Sequence, residues 1–209
     1  MILTKSINTG SIELIDIKNH KVNSNRQFIL TFDDGPSIST TSFLLDILAK
    51  HNIKAIFFII GKLLANSEAA LITKRAQREG HIIGNHSFSH PNLSLLPKKK
   101  VKEEIERTHN LICELIGDCR YFRPPYRARS EHVNEIINDM GYETILWNVD
   151  TLDWKLKKNG QWVQHAINQI NNLNNCTILM HDIHQTTIDH IDRLIMYIKS
   201  INGYRFTLY

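Results

Sequence analysis

Acidic residues and histidines directly follow several apolar segments of this chain, and their types suit a metal-assisted hydrolase. Asp33 and Asp34 are adjacent. Neighbouring side chains at a strand end point in opposite directions, so one acid can bind a metal while the other faces a substrate. His86 and His90 are four residues apart, and in a helical turn both rings would lie on one face. With Asp34 they would form a two-histidine, one-carboxylate set that suits zinc, and also cobalt, nickel, manganese or iron. His181 has a side chain that titrates near neutral pH, which suits a general acid.

Two further motifs contain groups that would support such a site. Arg123 precedes two prolines and Tyr126, and it would pair with a carboxylate and keep that carboxylate ionised. Because prolines have no N–H, the backbone N–H of Tyr126 is the next available donor. Asp150 and Asp153 follow another apolar segment, where an acid can orient a histidine, and Trp154 can form an apolar wall against a sugar ring. Each motif alone also has a structural interpretation as a turn, a helix cap or a packing residue.

The composition is that of a globular protein without a nucleic-acid or membrane partner. The 209 residues are 42% hydrophobic and 22% charged, with a formal net charge of +4, which suits a single domain. The charges are scattered, and no apolar run approaches the ~20 residues that span a bilayer. The N-terminus lacks the apolar stretch of a signal peptide, which predicts a cytoplasmic protein, secreted only if the N-terminus was trimmed. Three cysteines without a C-x-x-C pair are predicted to be free thiols: Cys113, Cys119 and Cys176.

Apolar segments with strand character alternate with amphipathic helical segments from residue 26 onward. We predict about seven strands, one of them over Tyr142–Val149, separated by helices. This alternation indicates a parallel sheet covered on both faces, either an open doubly wound sheet or a closed barrel. In both, chemistry gathers at the carboxyl ends of the strands, so the motifs should converge. Residues 1–25 are predicted to be an N-terminal extension, with an extra strand or hairpin.

Together these motifs resemble the polysaccharide deacetylases, the NodB homology domain of carbohydrate esterase family four. The resemblance covers about residues 26–207 and includes all five family motifs in order, with connecting segments such as residues 80–86. It implies a single α/β domain that forms a distorted (β/α) barrel and binds one divalent metal. Zinc is the first candidate, with cobalt, nickel or manganese as alternatives. The implied activity is removal of N-acetyl groups from amino sugars in chitooligosaccharides, peptidoglycan or related glycans.

The resemblance also implies a role for each motif residue. Carried over by position, these are Asp33 as catalytic base, Asp34, His86 and His90 as metal ligands, Arg123 as the residue that holds the base, Tyr126 as the backbone donor to the oxyanion, Asp150 as the acid that tunes the general acid, and His181 as that general acid. Asp153 is close enough to Asp150 that either acid could serve. Trp154 is expected to contact the sugar, and Ile178 is expected in the pocket for the acetyl methyl group.

Two residues depart from the family pattern without touching the chemistry. Arg127 stands where glycine is frequent, and it could narrow the cleft or contact an acidic substrate. Ile178 stands where leucine is usual. Two rival functions remain: the same site could cleave another amide or ester on a small glycoconjugate, or the chain could be an inactive glycan-binding module. The second is disfavoured because a binding module would not need both Asp33 and His181.

Overall fold

A computed structural model describes residues 25–208 and shows one sheet of parallel strands covered by helices. The extra strand or hairpin expected in residues 1–25 falls on residues 1–24, which lie outside the described part. The strands are β1 (Arg26–Asp33), β2 (Ile56–Ile59), β3 (Ile82–Asn85), β4 (Tyr121–Phe122), β5 (Glu143–Thr144), β6 (Val149–Asp150), β7 (Asn175–His181) and β8 (Tyr204–Phe206). The helices are α1 (Thr41–His51), α2 (Ser67–Arg78), α3 (Lys98–Ile116), α4 (Glu131–Asp139), α5 (Gln161–Ile170) and α6 (Gln185–Ser200).

The strand order shows that the sheet curls into a barrel with one open seam. The order is β5-β4-β3-β2-β1-β7-β6, and β8 pairs with the N-terminal half of β1. All seven pairings described are parallel. Strands β5 and β6 are consecutive in the chain but stand at the two ends of this order, so the seam lies between them. This confirms the distorted (β/α) barrel and removes the doubly wound alternative.

Alternate residues of the strands enter two different apolar clusters. Phe28, Leu30 and Phe32 of β1 face the main core, which the helices cover, whereas Ile29 packs with Ile56, Phe58 and Ile145 in a small cluster built from the strands and the seam. This alternation follows from the pleat of a strand, whose successive side chains point to opposite faces. Each fully buried phenylalanine contributes about 1.5–3 kcal/mol of stabilisation. Odd-numbered residues of β1 therefore face the barrel interior, and Asp33 continues that row at its mouth.

The prediction of one strand over Tyr142–Val149 is wrong, because this segment crosses the seam. Only residues 143–144 pair with β4, and only residues 149–150 pair with β7. In the gap between them, the backbone carbonyls of Ile145 and Leu146 accept hydrogen bonds from the buried side chain of Arg123. The side chain of Arg123 thus replaces the backbone hydrogen bonds between strands that the open seam lacks.

The prediction of three free thiols is confirmed. Cys119 and Cys176 are buried and Cys113 is half-buried, and all three are free thiols. Of the helices between residues 25 and 208, none has both the length and the apolar character needed to cross a bilayer. The parallel pairing brings the carboxyl ends of β1, β3, β4, β6 and β7 to one end of the barrel, where the motifs lie.

Candidate active site

Asp33 and Arg123 form a buried ion pair at the mouth of the barrel. Arg123 Nη1 donates to Asp33 Oδ1 at 2.7 Å, and the arginine side chain is fully buried. The same nitrogen donates to Thr31 Oγ1 at 2.8 Å, Nε donates to the carbonyl of Ile145 at 2.9 Å, and the guanidinium lies 4.1 Å from the Phe58 ring centroid. A guanidinium always carries its charge, so the carboxylate of Asp33 has a fixed, buried positive partner.

Asp34, His86 and His90 converge on one point beside this pair. The Asp34 Oδ1 atom lies 3.5 Å from His86 Nε2 and 3.2 Å from His90 Nε2. One ligand atom from each of the three residues lies within 4.8 Å of the others. His86 Nδ1 contacts the carbonyl oxygen of Arg123 at 2.6 Å, so the proton is assigned to Nδ1 and the lone pair to Nε2. The predicted ligand set is therefore brought together with its donor atoms facing inward.

The protonation states of these residues fit a divalent cation. Burial alone would raise the pKa of Asp34, but the imidazoles of His90, His86 and His181 outweigh it and lower that pKa to about 2. Burial lowers the pKa of His86. The Oδ1 atom of Asp34 is buried and has no hydrogen-bond partner among the described residues. An ionised carboxylate with an unsatisfied oxygen and a neutral imidazole are the forms in which these groups bind metals.

The two histidines lie on an irregular loop and not in the helical turn considered for their spacing. The loop follows β3, and Ser87 and His90 have left-handed φ values of 65° and 64°. Asn85 Oδ1 accepts a hydrogen bond from the Ser87 N–H at 2.8 Å, and Ser87 Oγ accepts one from the His90 N–H at 3.1 Å. The spacing of four residues still brings both rings together, with centroids 4.9 Å apart.

Asp153, and not Asp150, holds His181, which corrects the assignment that the resemblance gave to Asp150. His181 Nδ1 and Asp153 Oδ1 are 2.7 Å apart, and Asp153 Oδ2 accepts from the His181 N–H at 2.8 Å and from Thr187 Oγ1 at 2.6 Å. The Oδ1 atom of Asp150 instead accepts a hydrogen bond from the Leu152 N–H at 3.0 Å, because Asp150 lies at the start of a turn. Burial would lower the pKa of His181, but the hydrogen bond to Asp153 and its charge outweigh burial and raise that pKa to about 9.

Asp33 and His181 stand side by side at the mouth of the barrel. They are register partners at the ends of the adjacent strands β1 and β7, so their side chains stand on the same face of the sheet. Both line a cleft of about 570 Å³ that also contains the three candidate metal ligands. The apolar walls of this cleft are Pro124, Trp147, Trp154 and Leu179. Trp154 is therefore where the sequence predicted it, with 48% of its surface exposed.

Ile178 does not line the cleft, and its predicted role at the acetyl methyl group is wrong. It is fully buried in the main core, on the helix-covered face of β7. The next residue, Leu179, lines the cleft because it stands two residues before His181 and shares its face. Counting back from His181 by the strand period of two would have identified Leu179.

Trp147 is a second cleft residue, besides Leu179, that the sequence interpretation does not identify. The sequence predicts a regular strand here, whereas Trp147 lies in the seam between β5 and β6 and lines the cleft. Its ring is approached by two guanidinium groups, at 5.4 Å for Arg123 and 5.5 Å for Arg127. The only available signal was an aromatic residue three positions before the acidic motif at Asp150.

Tyr126 and Arg127 form one rim of the cleft. Tyr126 is 68% exposed, its hydroxyl lies 3.1 Å from His90 Nδ1, and the two rings are 4.6 Å apart. Both Tyr126 and Arg127 have left-handed φ values, 57° and 56°. That conformation favours glycine, which accounts for the frequent glycine at the position of Arg127 in the family pattern. Here the arginine adopts the same backbone and extends over Trp147.

The cleft continues past the ligands into a second groove. This groove, of about 660 Å³, shares Asp34, His90 and Tyr126 with the cleft. Its other walls are largely apolar and include Pro36, Ile38, Ile60, Leu63 and Ile183. The candidate metal centre therefore lies in the middle of an open trough, with space for a bound chain on both sides.

The fold and the site together define a parallel α/β barrel with a candidate metal centre between two buried ion pairs. Comparison with known proteins agrees. A family model described as polysaccharide deacetylase matches residues 20–145. The peptidoglycan-N-acetylglucosamine deacetylase PgdA of Listeria monocytogenes is 37% identical over 190 residues, which cover 89% of this chain and 38% of that protein. The chain therefore belongs to the polysaccharide deacetylase family, the NodB homology type of carbohydrate esterase family four.

Of two other similar proteins, one is named as a deacetylase and the other as a pseudoenzyme. The chitooligosaccharide deacetylase of Azorhizobium caulinodans is 35% identical over 157 residues, covering 73% of this chain and 72% of that protein. The crystal structure of BA3943 from Bacillus anthracis, described as a CE4 family pseudoenzyme, superposes with a TM-score of 0.79 at 28% identity, covering 87% of this chain and 63% of that one. The chain spans little more than a third of the length of PgdA.

Proposed function

We propose that this chain is a metal-dependent hydrolase that removes N-acetyl groups from amino sugars of a glycan. The observation that carries the proposal is the pairing of Asp33 with Arg123 and of His181 with Asp153, with Asp33 and His181 both next to one ligand triad. Deacetylation of an amide needs a base, an acid and an electrophilic centre within reach of one carbonyl group. The site supplies all three.

The ligand triad fits a divalent cation, which we propose to be zinc. Held by Asp34, His86 and His90, the ion would supply Lewis-acid polarisation of the acetamide carbonyl and of a water molecule. The chemistry of the donors does not separate zinc from cobalt, nickel or manganese, so loading with each ion and comparing turnover identifies the best cofactor.

Proton transfer is assigned to the two paired residues. Asp33, ionised beside Arg123, takes a proton from the attacking water while the water oxygen bonds to the carbonyl carbon. The Tyr126 N–H donates to the oxyanion. His181, whose pKa is raised to about 9, is protonated at neutral pH and gives its proton to the departing nitrogen as the C–N bond breaks. Collapse of the tetrahedral intermediate gives acetic acid, which ionises to acetate, and a free amino sugar. Exchange with solvent then removes the proton from Asp33 and returns one to His181, so the protons balance.

The walls of the cleft suit a sugar carrying a small acyl group. Trp147 and Trp154 offer aromatic faces for the apolar side of a pyranose ring, and Leu179 stands beside the acid where the acetyl methyl group would lie. Together with the second groove, this favours an oligosaccharide over a single sugar. PgdA is named for peptidoglycan and the Azorhizobium relative for chitooligosaccharides, so these two glycan classes are the substrates proposed first.

Mass spectrometry of acetyl loss from glycans tests the proposal. Zinc-loaded and cobalt-loaded protein is incubated with chitin oligomers and with peptidoglycan fragments, and Asp33→Asn serves as the control. Acetyl loss by wild type alone, abolished by a chelator and restored by the metal, is the expected result. Acyl loss only from an ester or from a different amide would replace the N-acetyl substrate with the rival one.

A glycan-binding module is the second candidate, favoured by the similarity to the BA3943 pseudoenzyme. It predicts that wild type binds the same oligomers, measured by calorimetry, without releasing acetate from any of them. Because Asp33, His181 and the ligand triad are all present here, we expect turnover instead.

A further inference from the structure

The loop that carries His86 and His90 adopts a backbone that its own residues disfavour. Ser87 and His90 both have φ near 65°, and the loop contains no glycine. Residues with a Cβ atom adopt the left-handed region only at a cost in free energy. The surrounding structure must hold the loop in place if His90 is to stay beside Asp34.

Glu104, on the second turn of α3, contacts the loop between the two histidines. Its Oε2 atom accepts hydrogen bonds from the backbone N–H groups of Phe88 at 3.0 Å and Ser89 at 2.7 Å. Its Oε1 atom accepts a third bond from Ser89 Oγ at 2.7 Å. Hydrogen bonds to an ionised acceptor are about twice as strong as those between neutral groups. One side chain thus satisfies three donors at the centre of the loop.

Two other contacts fix the loop against its neighbours. The N–H groups of Gly61 and Lys62 donate to the carbonyls of Ser87 and Phe88, each at 3.0 Å. The Arg107 guanidinium, one turn beyond Glu104 on α3, lies 3.4 Å from the Phe88 ring centroid. The carbonyls of Ser87 and Phe88 therefore accept hydrogen bonds from residues 61–62, and the N–H groups of Phe88 and Ser89 donate to Glu104.

We propose that Glu104 is a positioning residue for the metal centre, acting through the loop rather than touching the ion. Its carboxylate occupies the concave side of the loop, where successive N–H groups converge, and thereby sets His90 relative to Asp34 and His86. This inference rests on the proposed function only in taking the triad as a metal site. Residues that orient metal ligands in this way change metal affinity by about 10- to 100-fold when removed.

Zinc affinity measured by competition with a chromogenic chelator tests this proposal without requiring turnover. We expect Glu104→Ala to weaken zinc binding by about 10- to 100-fold. Glu104→Gln should retain most of the affinity, because one amide oxygen can accept both N–H groups while the Ser89 hydroxyl rotates to accept from the amide nitrogen. Glu106→Ala is the matched control, since Glu106 lies on the same helix and forms an exposed ion pair with Lys102 at 3.3 Å. This control should bind zinc within about twofold of wild type.

Thermal unfolding of the metal-free proteins shows whether each variant is folded, so that a loss of zinc affinity can be separated from a loss of fold. If Glu104 positions the ligands, folded Glu104→Ala should lose more zinc affinity than Glu104→Gln, and saturating zinc should restore its kcat. Zinc binding by folded Glu104→Ala within twofold of wild type would overturn the proposal. If Glu104→Ala does not fold, Ser89→Ala takes its place: weaker zinc binding by that variant supports the proposal, and unchanged binding contradicts it. If Glu104→Ala loses zinc affinity and wild type releases no acetate from any glycan, the proposed activity is contradicted while the positioning role of Glu104 is supported.

Discussion

The two halves of the site are held in place by different means. The proposed acid and base stand on regular strands, where the β1–β7 register alone places Asp33 opposite His181. The proposed metal ligands His86 and His90 stand on an irregular loop with left-handed residues and depend on side chains of other elements for their position. Sheet geometry alone can therefore position the proposed proton-transfer pair, whereas the candidate metal site also needs hydrogen bonds from side chains outside the loop.

Each half also has its own source of charge. On the strands, the fully buried Arg123 pairs with Asp33, and the fully buried Asp153 pairs with His181, so two opposite countercharges set two opposite proton-transfer roles. Among the candidate ligands, burial keeps His86 neutral while Asp34 stays ionised. Substitutions can therefore affect proton transfer and metal binding separately.

The largest effect is expected from removing the acid or the base. His181→Ala and Asp33→Asn should each lower kcat by about 10³-fold, since a positioned acid or base contributes about 10²- to 10⁴-fold. Zinc affinity should stay within a few-fold of wild type, because neither residue belongs to the triad. Steady-state acetate release and chelator competition on the same preparations measure both quantities. Turnover near wild type in Asp33→Asn would remove the base assignment.

A smaller effect, with a distinctive pH dependence, is expected from Asp153→Asn. The raised pKa keeps His181 protonated through neutral pH, so wild-type activity should fall only as the pH rises through about 9. Without the carboxylate, burial lowers the pKa of His181, and the alkaline decline should move toward neutral pH with about a 10- to 100-fold lower rate at pH 8.

The pH–rate profile of kcat, compared with that of Asp150→Asn, checks this prediction. Asp150 lines the same cleft, but its carboxylate accepts a hydrogen bond from the local Leu152 N–H, so its replacement should leave the alkaline decline unchanged. A shift in Asp150→Asn instead of Asp153→Asn would restore the assignment that the structure corrects.

Replacing an aromatic wall should affect binding more than chemistry. Trp154→Ala and Trp147→Ala should raise KM for a chitin oligomer by about 2- to 10-fold with little change in kcat, as expected for loss of one aromatic contact worth about 0.5–1.5 kcal/mol. Initial rates over a range of oligomer concentrations give both parameters. A fall in kcat with constant KM would instead place the indoles against the reacting group.

The smallest effect is expected at the rim. Arg127→Gly removes a cation but suits the left-handed backbone at this position, so the loop should keep its shape. KM should rise about twofold to fivefold for a glycan fragment carrying a carboxylate and stay unchanged for neutral chitin oligomers. Parallel KM measurements on the two substrates test this, and equal changes for both would exclude a charge contact.

Strand periodicity predicted a parallel sheet covered by helices, open or closed, because that pattern depends on local sequence. The family resemblance, and not the periodicity, implied the barrel and the role of each motif residue. Failures occurred where a tertiary feature overrode the local pattern. The segment around Trp147 looks like a strand but crosses the open seam, and the loop at His86 and His90 looks like a helical turn but is held by Glu104. The choice between Asp150 and Asp153 depended on how one turn folds back, which sequence spacing does not determine.

Zinc binding and acetate release measured together on three proteins test the separation of the two halves most directly. The proteins are wild type, Asp33→Asn and His90→Ala, with thermal unfolding used to confirm that each is folded. The account predicts that Asp33→Asn binds zinc like wild type but releases no acetate, and that His90→Ala loses both properties. Loss of zinc binding in Asp33→Asn, or acetate release by His90→Ala at wild-type rate without bound metal, would contradict it.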